Sequence, residues 1–187
     1  SAGVERLAPL FFVSPLQVNY VLPGGTAPGL AEVTITSGDG ASSTGTAQVE
    51  AVAPALFTAN ANGLGVAAAV VTRVATDGSQ TSDVVFQCLA GSGTCVEKPI
   101  ELGAAGDRVY LLLFGTGIRG RSSLSSVRLT LDGISVPVDY AGAQNEFAGL
   151  DQINAGPIPR TFAGRGQTAV ELTVDGKPAN TVTVSFR

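Results

Sequence analysis

The chain has 187 residues, 44% hydrophobic and only 14% charged, with a net charge of −4, 24 Gly, 10 Pro and no His, Met or Trp. That length covers one large β-domain or two small ones. The eleven Lys and Arg are dispersed, which excludes a phosphate-binding surface and so nucleic acid as a partner; no apolar run approaches the ~20 residues of a membrane helix. Without His, Ser-His-Asp and Cys-His catalysis is closed off. With no Met, Ser1 is not a translation start, and the chain reads as a processed or excised piece.

In chain order, residues 1–6 read as a linker and 7–13 (LAPLFFV) as an edge strand, because Pro9 removes a ladder donor. After Ser14-Pro15, residues 16–22 alternate, with Leu16, Val18, Tyr20 and Leu22 on one face and Gln17 and Asn19 on the other. Pro23-Gly24-Gly25 and Pro28-Gly29 turn a corner. Strands over 31–36 and 46–52, around Gly38-Asp39-Gly40, complete half of a small sandwich. In 63–75, the β-branched Val66, Val70, Val71 and Val74 favour a strand over the helix that Ala alone would support.

Residues 83–88 and 95–100 form a hairpin in which Cys88 and Cys95, the only cysteines, face each other across a Gly-containing turn and are expected to bond. A loop this short contributes about 2–3 kcal/mol and staples the hairpin locally. Residues 101–107 (ELGAAGD) look like a linker, and 108–114 (RVYLLLF) like a strand buried on both faces. Gly115-Thr116-Gly117 permits a bulge or tight bend. Residues 127–131 and 135–140 flank Asp132-Gly133 as a hairpin, and 141–149 is a polar loop.

Residues 148–186 then run loop, strand, Pro-rich corner, strand, Asp-Gly turn, strand, and a looser copy lies near the start. Gln152-Ile153-Asn154 answers Gln17-Val18-Asn19, Pro159 answers Pro23, 170–173 answers 33–36, and Asp175-Gly176 answers Asp39-Gly40. Self-similarity of this kind means one supersecondary unit used twice. The expected organisation is an all-β chain of two related halves: 1–104, made of the repeat copy 7–52 and the stapled section 53–104, and 105–187, whose roughly seven strands suit an immunoglobulin-like β-sandwich.

Residues with site chemistry are few. Asp39, Asp77, Asp132 and Asp175 all precede Gly, so turn formation outweighs catalysis or calcium ligation. Gly115-Thr116-Gly117 lacks the Lys and helix of a phosphate loop. Gln17, Asn19, Gln152 and Asn154 recur in both copies, which favours structural bonds over ligand binding. The better ligand surface is Gln144, Asn145, Glu146 and Phe147, although a Phe here also suits closing the end of a sandwich. No catalytic, metal or cofactor-binding residue is assigned.

Taken together, 111–119 (LLLFGTGIR), Tyr140-Ala141-Gly142, 149–154 (GLDQIN), 180–184 (NTVTV), 8–19 (APLFFVSPLQVN) and 54–58 (PALFT) resemble the Solibacter-type C-terminal domain of large secreted acidobacterial proteins. The second half is also similar to IPT/TIG domains, which open with an apolar strand and a Gly-x-Gly bend. The first copy departs from that pattern in lacking the strands before residue 7; either 53–104 completes the first sandwich or the arrangement is unusual. The resemblance implies a non-catalytic, extracellular structural or adhesive module at the end of a larger secreted or surface protein. Its partners would be other domains of that protein and cell-surface or matrix polysaccharide or protein. A carbohydrate-binding module is the first alternative, weakened by the missing Trp; a carboxylate-dependent hydrolase is the second.

Overall fold

The computed structural model describes residues 3–187, so residues 1 and 2 of the expected linker lie outside the described part. The protein is all-β and divides into two compact units, Ser1–Ala51 and Val52–Arg187.

The first unit holds two separate antiparallel pairs. β1 (Leu10–Ser14) pairs with β2 (Gln17–Tyr20) through the turn Pro15-Leu16, and β3 (Gly29–Thr36) pairs with β4 (Ser42–Val49). Pro9, placed just before β1, spends only its carbonyl, which accepts the Val21 N–H at 2.9 Å.

The second unit begins with β5 (Ala55–Leu56), β6 (Ala69–Val74), β7 (Gln80–Val84), β8 (Phe86–Cys88) and β9 (Cys95–Glu97). It continues with β10 (Arg108–Thr116), β11 (Val127–Leu131), β12 (Ile134–Val136) and β13 (Val138–Ala143). β14 (Asp151–Ala155), β15 (Gly166–Val174), β16 (Lys177–Pro178) and β17 (Val182–Phe186) complete it. One sheet has the order β13-β14-β10-β6-β7, with β5 also on β10; the other runs β12-β11-β15-β16, with β17 on β15. Period-2 alternation turns Val109, Leu111 and Leu113 of β10 and Ile153 of β14 toward Leu129 and Leu131 of β11, Val170 and Leu172 of β15 and Val182 and Val184 of β17. All belong to one buried cluster, so the two sheets enclose a single core as a β-sandwich does. Phe162 is fully buried in it, its ring centroid 5.4 Å from that of Phe186.

The division at 104/105 expected from the sequence does not coincide with the division between units. β6 lies directly beside β10, pairing Ala69–Val74 against Leu113 through Arg108, and β7 extends the same sheet. The residues before β6 and after β9 also edge the opposite sheet: Thr183 donates its N–H to Gly65 O at 2.8 Å, and Ile100 donates to Ser185 O at 2.8 Å. Residues 53–104 therefore complete the second sandwich and not the first. The apparent linker 101–107 is an ordered turn, because the Arg160 guanidinium donates to the carbonyls of Leu102, Gly103 and Ala104 at 3.0, 2.7 and 2.8 Å.

Two local expectations change as well. β10 is not buried on both faces; Tyr110, Leu112 and Phe114 on its outer side are only half-buried. The hairpin expected over 127–140 is cut at Pro137, where the missing N–H ends the β11–β12 pairing and β13 crosses to the other sheet beside β14. Gly115 and Gly117 serve close approach: a Cβ would lie 2.2 Å from Ala55 O at the first and 2.0 Å from Ala53 O at the second, so only bare backbone lets the entry segment of the unit reach β10. Cys88 and Cys95 are joined in a disulfide that closes the β8–β9 hairpin. Among the described residues no helix is long and apolar enough to cross a membrane.

Candidate functional site

The outer face of β13–β14, with the loop that follows β13, gathers a set of polar side chains, Tyr140, Gln144, Asn145, Gln152 and Asn154. Alternation buries Asp151, Ile153 and Ala155 and turns Gln152 and Asn154 outward. The antiparallel register sets Tyr140 opposite Asn154 and Gly142 opposite Gln152. With Ala143, Gln144 and Asn145, these side chains line a shallow depression of about 250 Å³.

Within it, Gln152 Nε2 donates to Asn154 Oδ1 at 2.7 Å, and the Tyr140 hydroxyl donates to Ala143 O at 2.5 Å. The first bond fixes both amides and leaves the Gln152 carbonyl and the Asn154 NH₂ toward solvent, one acceptor beside one donor group. Arg121 sits at the margin: the position of a Cβ on Gly142 would be 3.2 Å from Tyr140 Oη and 3.3 Å from Arg121 Nη1. Arg121 Nε is buried and unpartnered among the described residues. Nearby, the Ser122 hydroxyl and then that of Ser126 hold the Asp175 carboxyl below its ordinary range, with the Arg121 charge adding to the effect.

Of the four loop residues singled out from the sequence, Gln144 and Asn145 line the depression, whereas Glu146 and Phe147 do not. Gln144 builds the loop itself: its Oε1 accepts the N–H groups of Glu146 at 3.0 Å and Phe147 at 3.1 Å, and Asn145 takes the left-handed backbone that Asn tolerates. Phe147 is 55% exposed and does not close the end of the sandwich. Neither Tyr140, quoted only within the resemblance motif Tyr140-Ala141-Gly142, nor Arg121 was named as a site residue from the sequence. The signal for Tyr140 was present, since an antiparallel partner of the Gln152/Asn154 face must offer its own outward residues there.

The other motif residues serve the scaffold. Asp151 is fully buried and accepts the N–H groups of Ile118 (2.7 Å) and Arg119 (3.1 Å) and the Arg119 Nε (2.6 Å). Arg119 also donates to Leu150 O at 2.7 Å. Asn180 accepts the Leu56 N–H at 2.8 Å and donates to Leu56 O and Gly63 O at 3.0 and 2.9 Å. Asn60 does the same for Cys95, accepting its N–H at 2.7 Å and donating to its carbonyl at 3.0 Å. Glu97 binds the Thr183 hydroxyl at 2.6 Å and the Gln167 amide at 2.7 Å, and these bonds hold its carboxyl below the ordinary range. The turn carboxylates act likewise: Asp132 Oδ1 accepts the Ala169 N–H at 2.8 Å, and Asp175 accepts from Ser122.

Among the described residues no group of three or more His, Cys, Asp or Glu is placed to hold a metal ion. No family model matches the chain, and no curated protein or solved structure matches it.

Proposed function

We propose that the chain is a non-catalytic, extracellular module of structural or adhesive use, carried by a larger secreted or surface protein of the Solibacter-type C-terminal family, and that its second unit is an immunoglobulin-like, IPT/TIG-like sandwich. The observation that carries this reading is the employment of the motif residues: Asp151, Arg119 and Asn180 spend their polar atoms largely on the chain's own backbone, as Asn60 beside the disulfide does. Side chains committed in this way hold a scaffold and have little capacity left for a reacting group. The disulfide adds a chemical argument for an oxidising compartment, where such bonds persist. The partners are then neighbouring domains of the parent protein and surface or matrix proteins.

Carbohydrate binding is the second reading, favoured by one observation, the paired Gln152/Asn154 amides beside Tyr140 in an open depression. Planar amides and a tyrosine edge suit sugar hydroxyls, which both donate and accept. Two measurements test these readings. Protease shaving of intact producing cells, with fractionation of the medium, is expected to find the parent protein accessible or secreted; retention in the cytosol would remove the extracellular reading. Isothermal titration of the chain with soluble polysaccharides is expected to give no saturable heat and no cleavage products. Saturable binding that Asn154→Ala weakens about tenfold or more, the loss of roughly 1.4 kcal/mol, would establish the carbohydrate reading instead.

A further inference from the structure

The first unit repeats four strands of the second, down to the pairing register. β1–β2 sets Ser14, Val13 and Phe12 opposite Gln17, Val18 and Asn19, then slips before Leu10↔Tyr20. β13–β14 sets Gly142, Ala141 and Tyr140 opposite Gln152, Ile153 and Asn154, then slips before Val138↔Ala155. Immediately beyond, Val21 N–H bonds Pro9 O and Gly156 N–H bonds Pro137 O, both at 2.9 Å. Gln17 binds Asn19 at the same 2.7 Å that separates Gln152 from Asn154. β3–β4 pairs Gly29↔Val49, Ala31↔Ala47 and Val33↔Gly45, where β15–β17 pairs Gly166↔Phe186, Thr168↔Val184 and Val170↔Val182.

What the first copy lacks is neighbours. In the second unit β14 is bonded on its other edge by β10, and β15 by β11. Among the described residues β2 pairs only with β1, and β3 only with β4. The positions that form the core of the second copy consequently line an open groove of about 350 Å³ in the first, flanked by Tyr20, Val33, Ile35, Gly45 and Ala47. Ile35 is 41% exposed, while Leu172, its counterpart, is 1% exposed. Among the described residues none before Val52 joins the buried core cluster, and eleven of the seventeen exposed large apolar side chains lie between residues 4 and 35. Two isolated strand pairs with a bare apolar face are marginal in water.

We propose that the first unit is the C-terminal half of another sandwich, and that its groove and the free edges of β2 and β3 receive two strands from polypeptide preceding residue 1. One is an alternating apolar strand of the β10 kind, added beside β2, and the other is of the β11 kind, added beside β3. Main-chain hydrogen bonds along each edge supply the attachment, and the inward apolar side chains supply the fit. The occupant precedes the chain because β10 and β11 precede β13 in the complete copy. A second copy of this chain does not supply them, since its own β10 and β11 are bonded on both edges within their sheets.

The test compares the 187-residue chain with a version extended by its naturally encoded upstream residues, over a length equal to segment 105–137, using amide hydrogen exchange. In the extended chain the amides of β2 and β3 are expected to exchange about 100-fold more slowly than in the shorter one. Val33→Asp with Ile35→Asp is expected to abolish that gain and leave exchange in β14 and β15 unchanged. Equal exchange with and without the extension would overturn the proposal. So would protection of β2 and β3 in the 187-residue chain itself, whether as a monomer or as a concentration-dependent dimer.

Discussion

Asp151→Ala is expected to destabilise the second unit by about 2–5 kcal/mol, chiefly the cost of leaving two backbone N–H groups without their acceptor at about 1–3 kcal/mol each. The carboxylate is fully buried and holds three donors, two of them backbone N–H groups at the Gly117–Arg119 bend that water cannot replace without opening the core. For a unit of this size that corresponds to a midpoint lower by about 10 °C. Asp151→Asn keeps the volume but weakens every bond to the bend, since charge-assisted hydrogen bonds are about twice as strong as neutral ones; its loss is expected to fall between wild type and Ala. Urea and thermal unfolding of the two variants measure this. A change below about 1 kcal/mol in the Ala variant, the value of an ordinary exposed pair, would show that the bend is held by something else.

The second large effect concerns where the chain can be cut. Fragment 52–187 is expected to unfold cooperatively, close to the midpoint of the parent chain, because the whole buried cluster lies within it. Fragment 105–187, the half that the sequence alone marks out, is expected to show no cooperative transition. It loses Val52, Leu56, Val66, Val85, Ile100 and Leu102 from the core, each no more than 3% exposed. At about 1.5–3 kcal/mol for each large apolar side chain buried, the loss reaches the whole of a typical domain stability of roughly 5–15 kcal/mol. It also bares the edge of β10 that β6 covers. Circular dichroism melts of both fragments decide the matter, and a sharp transition in 105–187 would contradict the pairing argument.

The sequence carried the strand class and the turns because these depend on neighbours a few residues apart. Asp132-Gly133 and Asp175-Gly176 take the consecutive positive φ angles that such pairs favour. Cys88 and Cys95 are close enough in sequence for the turn alone to bring them together. What was not legible depends on edges. The alternation of β10 says which side chains face inward, but nothing in it says that the strand's partner is β6 from the preceding section. Residues 101–107 read as a linker because their Gly and Ala are typical of one; the three-carbonyl grip of Arg160, more than fifty residues away, makes them a fixed turn. The depression on β13–β14 was half-legible for the same reason. Gln144 and Asn145 announce themselves as a polar loop, whereas the role of Tyr140 needs the cross-strand register, and Arg121 arrives from a turn of another part of the unit.

The Asn180 amide, which ties Leu56 and Gly63 across 124 and 117 residues, bears on the order of events during synthesis. A ribosome that has made β5 through β15 has not yet made the residue that fastens β5, nor β17, on which Gly65 and Ile100 close. The unit therefore has no complete native state until its last few residues have left the exit tunnel. Until then β10 and β11, whose inward residues belong to the core, are held by partial sheets alone. Folding dominated by such distant pairings runs on the millisecond-to-second scale, so the growing unit stays partly paired until β17 is available.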